Sequence, residues 1–188
     1  MEIYCSVGAT ERVDQGDVFK DIYFPAVDRN VSAIVITATC DLEQEKADYI
    51  KFVSVTSLNE VIIQIAEHKG IDSSFFVSGA YLSHNKTKSL LDAITQNIRG
   101  DLFPRYYFLD EYADIFPASY ADLQQIFVVP SRLLYAKYLD NRLARLKSPW
   151  REEIVARYSG YSMRVGVPAY SEDELRVVLA KTGLNLAI

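Results

Sequence analysis

Cys40 and Asp41 are the first pair in this chain that could do chemistry, because a thiol beside a carboxylate at the end of a β-branched run has the makings of an activated nucleophile. Such a thiol wants a histidine base, and the chain has two, His68 and His84, both in a stretch of helical character. Nothing in their spacing brings either to Cys40, so Cys40 reads as a buried structural residue. Asp41, Glu43, Glu45 and Asp48 could ligate a hard cation, but the run lacks the glycine of a calcium loop and reads as a solvated acidic turn. With two Cys and two His in all, no metal site and no cofactor is expected; phosphate-loop and dinucleotide signatures are absent, since the eight glycines are dispersed.

Charge is distributed more tellingly than its total of -5. Residues 1–131 hold 10 Lys and Arg against 19 Asp and Glu, whereas residues 132–164 hold 8 against 3. The basic block comprises Arg132, Lys137, Arg142, Arg145, Lys147, Arg151, Arg157 and Arg164, interleaved with Tyr135, Tyr138, Trp150, Tyr158 and Tyr161. Guanidinium groups pair phosphates or carboxylates in a planar fork, and aromatic rings stack on bases. Arg132, Lys137, Arg142, Arg145, Arg151 and Arg157 are therefore the candidate contacts to RNA, DNA or an acidic protein partner, with internal acids as competitors for the same guanidinia. Tyr106, Tyr107 and Phe108 could form a stacking platform, but adjacent strand residues point to opposite faces, so core packing is the expectation.

These residues need elements to hold them. Gln15-Gly16 signals a turn before Asp17–Phe24, which alternates as a half-buried strand does; Ala33–Cys40 is a continuous β-branched run suited to a central strand; Tyr49–Val55 supplies a third, making a meander. Asn59 is placed to cap a helix over 60–69, with Val61, Ile62, Ile65 and Ala66 on one face, and a second helix fits 86–98. Arg105–Leu109 and Leu123–Val129 return the chain to β structure. Ser148-Pro149 opens a helix reaching about Met163, with Trp150 packing inward from its first turn, and Ser171-Glu172-Asp173-Glu174 forms a capping box for another. No repeat or Gly/Ser linker divides the chain, so one α+β domain over 1–188 is expected. No apolar run approaches a membrane span and no leader-like N-terminus is present, which makes a cytoplasmic protein the default.

Gly16-Asp17-Val18-Phe19, the strand ending in Thr37-Ala38-Thr39-Cys40-Asp41-Leu42, and Tyr49–Val55 resemble the opening strands of the MazF/PemK-type SH3-like barrel over about the first third of the chain. The whole length is similar to a family of uncharacterised bacterial proteins, through Cys40-Asp41-Leu42, Arg105–Leu109, Leu146–Glu152 and Met163–Pro168. The resemblance implies a partly open SH3-like, PemK-like β-barrel with inserted and C-terminal helices, in a bacterial protein of a toxin–antitoxin, phage-defence or regulatory operon. Two functions follow as expectations. One is a non-enzymatic module that binds nucleic acid or a protein encoded in the same operon. The other is a divergent MazF-like, metal-independent endoribonuclease, in which Arg29 would stabilise the charge on a phosphorane with Asp28 as the nearby acid. The loop here is short and lacks the family's acidic, Gly-rich approach to that arginine, so catalysis by Arg29 and Asp28 is the alternative rather than the leading expectation.

Overall fold

The computed structural model describes residues 3–74, 76 and 81–163. Seven strands form one antiparallel sheet: β1 (Tyr4–Cys5), β2 (Asp17–Phe24), β3 (Arg29–Val35), β4 (Tyr49–Ser57), β5 (Tyr106–Leu109), β6 (Ser119–Pro130) and β7 (Arg142–Leu146). Their order across the sheet is β1-β7-β2-β3-β4-β6-β5, so the expected β2-β3-β4 meander lies at its centre. The helices are α1 (Thr39–Glu43), α2 (Leu58–His68), α3 (His84–Arg99) and α4 (Trp150–Ser162), with a further helical turn running from Ser131 to Asn141 between β6 and β7. The architecture is α+β, and the sheet is not closed into a barrel. No helix among the described residues is long and apolar enough to cross a membrane.

Strand alternation sorts the apolar side chains onto two faces. Val31, Ala33 and Val35 of β3 join Phe19, Phe24, Ile50, Phe52 and Phe127 in one cluster, capped by Leu134 and Tyr138 of the Ser131–Asn141 turn. Ile34 faces the other way and meets Val18, Val53, Leu123, Ala144 and Leu146, covered by Ile154 and Trp150 of α4. Trp150 is only partly buried there, which bears out its inward packing in part. A third cluster packs α2 and α3 on Tyr106 and Tyr120 of β5 and β6.

The two edges of the sheet approach each other although no ladder joins them among the described residues. Tyr4 of β1 donates from its hydroxyl to the carbonyl of Asp110, just past β5, at 2.9 Å. Its ring lies 5.3 Å from Tyr112 and 5.9 Å from Phe116. Burial pushes the Tyr4 and Tyr107 hydroxyls well above the ordinary tyrosine value, with the charges of Asp110 and Glu153 adding to the effect. Both side chains ionise near pH 10 once unfolded but stay protonated in the native state, so their contribution to stability is complete below about pH 10 and is lost as pH rises beyond it. Urea midpoints measured from pH 8 to pH 11 are expected to hold level and then fall above pH 10, and the double variant Tyr4→Phe, Tyr107→Phe to fall less.

Two expectations are corrected here. The run Ala33–Cys40 is not one strand: the last backbone bond to β4 is from Ile36, and the Thr37 hydroxyl then accepts from the Lys51 amide at 2.7 Å, taking the place of a ladder carbonyl. The chain turns into α1, and Cys40 is exposed rather than buried. Its thiol meets Asp41 Oδ1 at 3.7 Å, while His68 packs edge-on against Phe103 and His84 opens α3. Cys40 is therefore expected to react with a thiol reagent in the native protein at the rate of an open thiol, and half-buried Cys5 more slowly; following the release of thiolate from Ellman's reagent with and without denaturant checks this. The helix expected after Ser171, and Arg164, lie outside the described residues.

Candidate functional site

Among the described residues, the six candidate cations of the basic block do not gather on one surface. β7 delivers Arg142 and Arg145 against Asp17, the first residue of β2, which is fully buried. Arg142 Nη1 donates to Asp17 Oδ2 at 3.1 Å, and Arg145 Nε donates to Oδ1 at 2.5 Å. The remaining donors of Arg142 reach the carbonyls of Gly8, Glu11 and Arg12, and Arg145 Nη2 also reaches Arg12 O at 2.8 Å. The side chains of Arg142 and Arg145 are only 3% and 16% exposed. Gly16 makes this possible: its φ of +85° turns the chain, and a Cβ there would come within 2.8 Å of the Arg151 Cβ. Buried charges are held by partners of this kind, so these two arginines stitch the 8–12 loop to the sheet and present little to a phosphate.

Arg151 pairs with Asp14 at 3.3 Å and Glu152 at 2.7 Å. Arg157 pairs with Glu153 at 3.1 Å and lies over the Tyr107 ring. Arg132 and Lys137 are exposed, with the Lys137 ammonium 5.2 Å from the Tyr138 ring centroid. The six candidate cations are thus distributed over internal networks, α4 and the helical turn, rather than gathered. Among the described residues no cluster of His, Cys, Asp and Glu has the makings of a metal site.

A polar groove of about 220 Å³ opens elsewhere, where β6 bulges. Val53 and Ser54 are consecutive on β4, yet they pair with Ile126 and Asp122, so Leu123–Gln125 stand out of register. Bulges break a ladder, bend the strand and re-aim side chains, often beside a functional site. Arg29, Ser32, Ser54, Thr56, Glu60, Gln64, Arg105, Tyr106, Asp122 and Gln125 line the result, drawn from β3, β4, α2, β5 and β6. Ser57 caps α2 by accepting from the Glu60 amide at 3.2 Å, two residues before the expected cap at Asn59.

Asp122 is buried and grips Arg105 in a two-pronged bond, Nε to Oδ1 at 2.6 Å and Nη2 to Oδ2 at 2.5 Å, while Gln124 N adds a third bond to the carboxylate. These bonds raise the Arg105 pKa further and hold its guanidinium in one plane at the groove wall. Tyr106 donates from its hydroxyl to Gln64 Oε1 at 2.7 Å, and burial keeps that hydroxyl protonated by raising its pKa. Thr56 donates to Glu60 Oε2. Arg29 is exposed, and its guanidinium forms no ion pair or hydrogen bond among the described residues. Asp28 has a φ of +50° and accepts from Tyr23 OH at 2.6 Å, and no ion pair joins it to Arg29.

Sequence reasoning singled out Arg29 but missed Glu60, Gln64, Arg105 and Asp122 as site residues, because five elements separated along the chain converge on the groove. The available signal was Gln124-Gln125, a polar pair breaking the apolar run between Leu123 and Ile126. Tyr106 and Tyr107 are buried, so the three neighbouring aromatics do not form a platform. Comparison with protein-family models and with curated proteins finds no match to this chain.

Proposed function

We propose that this chain is a non-enzymatic binding module that takes single-stranded RNA in the bulge groove, within a divergent, partly open SH3-like fold of the MazF/PemK type and in a bacterial defence or regulatory setting. The observation that carries the reading is the pairing state of the groove's charges. Arg105 is neutralised and fixed by Asp122, whereas the Arg29 guanidinium at the rim is uncommitted. A free guanidinium and the Glu60 carboxylate, set in a wall of hydroxyls and amides, suit a ligand carrying few phosphates and many hydrogen-bonding groups, as the 2′-hydroxyls and splayed bases of a single strand do.

With one or two phosphates engaged, the salt dependence is shallow, a slope of about 0.7 to 1.4 in log K against log salt. Anisotropy titration of labelled single-stranded RNA against the protein at two salt concentrations is expected to show binding. Arg29→Ala should abolish that binding without lowering the melting temperature, and Arg132→Ala with Lys137→Ala should leave it in place. Equal binding by the Arg29 variant would place the contact elsewhere.

A second reading, the metal-independent endoribonuclease, is favoured by one feature: Glu60 supplies from α2 the carboxylate that Asp28 does not. A carboxylate base and a guanidinium over one groove have the chemical types for attack by a 2′-hydroxyl on its own phosphate. Cleavage of RNA that survives EDTA and disappears in both Arg29→Ala and Glu60→Gln would establish it; intact RNA recovered from the bound complex supports the binding module.

A further inference from the structure

Glu60 and Gln64 stand one turn apart on α2, and both line the bulge groove. Side chains at i and i+4 share a helix face, with Cβ atoms about 5–6 Å apart, so their polar ends can meet neighbouring atoms of one ligand. Each end is set by a hydroxyl. Tyr106, only 3% exposed, donates to Gln64 Oε1 at 2.7 Å, which leaves the Gln64 Nε2 amide a donor without a partner among the described residues. Thr56 donates to Glu60 Oε2, and Glu60 Oε1 accepts no bond among the described residues. The face thus offers an amide donor beside a charged acceptor.

We infer that this face reads a guanine base, Gln64 Nε2 donating to O6 while the Glu60 carboxylate accepts from N1–H and the N2 amino group. The inference rests on the groove being where the strand binds, and it makes Glu60 and Gln64 specificity-determining residues of that site. Guanine alone among the four bases carries two adjacent N–H donors on its pairing edge, with an acceptor next to them. A carboxylate takes such a pair in parallel, and these charge-assisted bonds are the strong ones. Adenine, cytosine and uracil each present one donor beside an acceptor. Whichever way they lie, they make two bonds here where guanine makes three. The Thr56 hydroxyl does not compete, since each carboxylate oxygen has two lone pairs.

The neighbouring wall and the charges agree with this. Asp122 fixes the Arg105 guanidinium through two bonds, its Cζ lies 5.1 Å from the Tyr106 ring centroid, and the side chain remains 34% exposed. Splayed bases stack on guanidinium planes of this kind. Arg105 and Asp122 cancel, so the charges left in the lining are Arg29 and Glu60, and no ion pair joins these two among the described residues. A carboxylate repels phosphate. Arg29 therefore serves the backbone of the strand, and Glu60 the donors of a base.

The probe is a set of labelled uridine decamers carrying guanine, inosine, adenine or cytosine at one central position, with the all-uridine strand, titrated by anisotropy against the full chain at low salt. The guanine strand is expected to bind about tenfold more tightly than the adenine, cytosine and all-uridine strands. Inosine keeps O6 and N1–H but lacks the N2 amino group, and should fall to their level. Because inosine changes the ligand and not the protein, that comparison does not depend on how a variant folds. Glu60→Gln should erase the guanine preference while leaving the all-uridine strand bound as before, whereas Arg29→Ala should abolish binding of every strand. Binding that needs Arg29 but is equal for guanine, inosine and adenine strands would overturn the guanine inference and leave the RNA groove standing; no binding of any strand would overturn both. Displacement of the guanine strand by guanosine monophosphate at equal concentration would assign the site to a free nucleotide and overturn the reading of a base within a strand.

Discussion

Asp17→Ala is expected to lower unfolding free energy by about 3–5 kcal/mol, because it strips the carboxylate from two guanidinia that the fold has withdrawn from water. The Arg142 side chain is 3% exposed and cannot swing out to recover hydration without releasing the carbonyls of Gly8, Glu11 and Arg12. The 8–12 loop should loosen with it. Asp17→Asn keeps the shape and one acceptor but not the charge, so its loss should fall between zero and that of alanine. Set against a typical total of about 5–15 kcal/mol, the alanine change removes about a fifth or more of the stability. Urea titration measures it as a lower midpoint at constant slope. A loss under about 1 kcal/mol would mean that Arg142 and Arg145 are free to pair elsewhere, and would restore them as surface cations.

Tyr4→Ala should cost a similar amount, about 3–5 kcal/mol, the usual range for truncating a buried aromatic ring. The ring is fully buried between Tyr112 and Phe116, and its hydroxyl satisfies the Asp110 carbonyl. It is also the side-chain bridge from edge strand β1 to the segment following edge strand β5. Losing it opens a cavity and unpins the 110–116 segment together, so amide exchange there should accelerate more than in β3. Tyr4→Phe should cost only about 1 kcal/mol, the net value of one hydrogen bond. If Tyr4→Ala and Tyr4→Phe were equally mild, the two edges of the sheet would be held by something other than this ring.

The central meander was legible because β2 and β4 alternate and β3 is β-branched, a pattern that packing on two faces reinforces. The end of β3 was not. A side chain, the Thr37 hydroxyl, ends the ladder at Lys51, and periodicity carries no information about that bond. The basic block misled for a related reason: the partners of Arg142 and Arg145 are the same carboxylate, 125 and 128 residues away, so a local excess of positive charge is balanced across the sheet. Arg29 was visible as a lone loop cation, yet its setting depends on a register slip in β6 that only the pairing of Ser54 with Asp122 reveals. Glu60 looked like an ordinary first-turn acid, placed there for the helix dipole. Its position over the groove follows from α2 starting directly at the end of β4, without a loop.

Ultraviolet crosslinking of the full chain to single-stranded RNA, followed by mass spectrometry of the nucleotide-bearing peptides, tests the central claim most directly. The RNA-binding account predicts adducts in the peptides carrying Arg29–Ser32, Ser54–Gln64 and Arg105-Tyr106, all absent in Arg29→Ala. Adducts confined to Arg132–Tyr138 or to α4, or none at low salt, would contradict it.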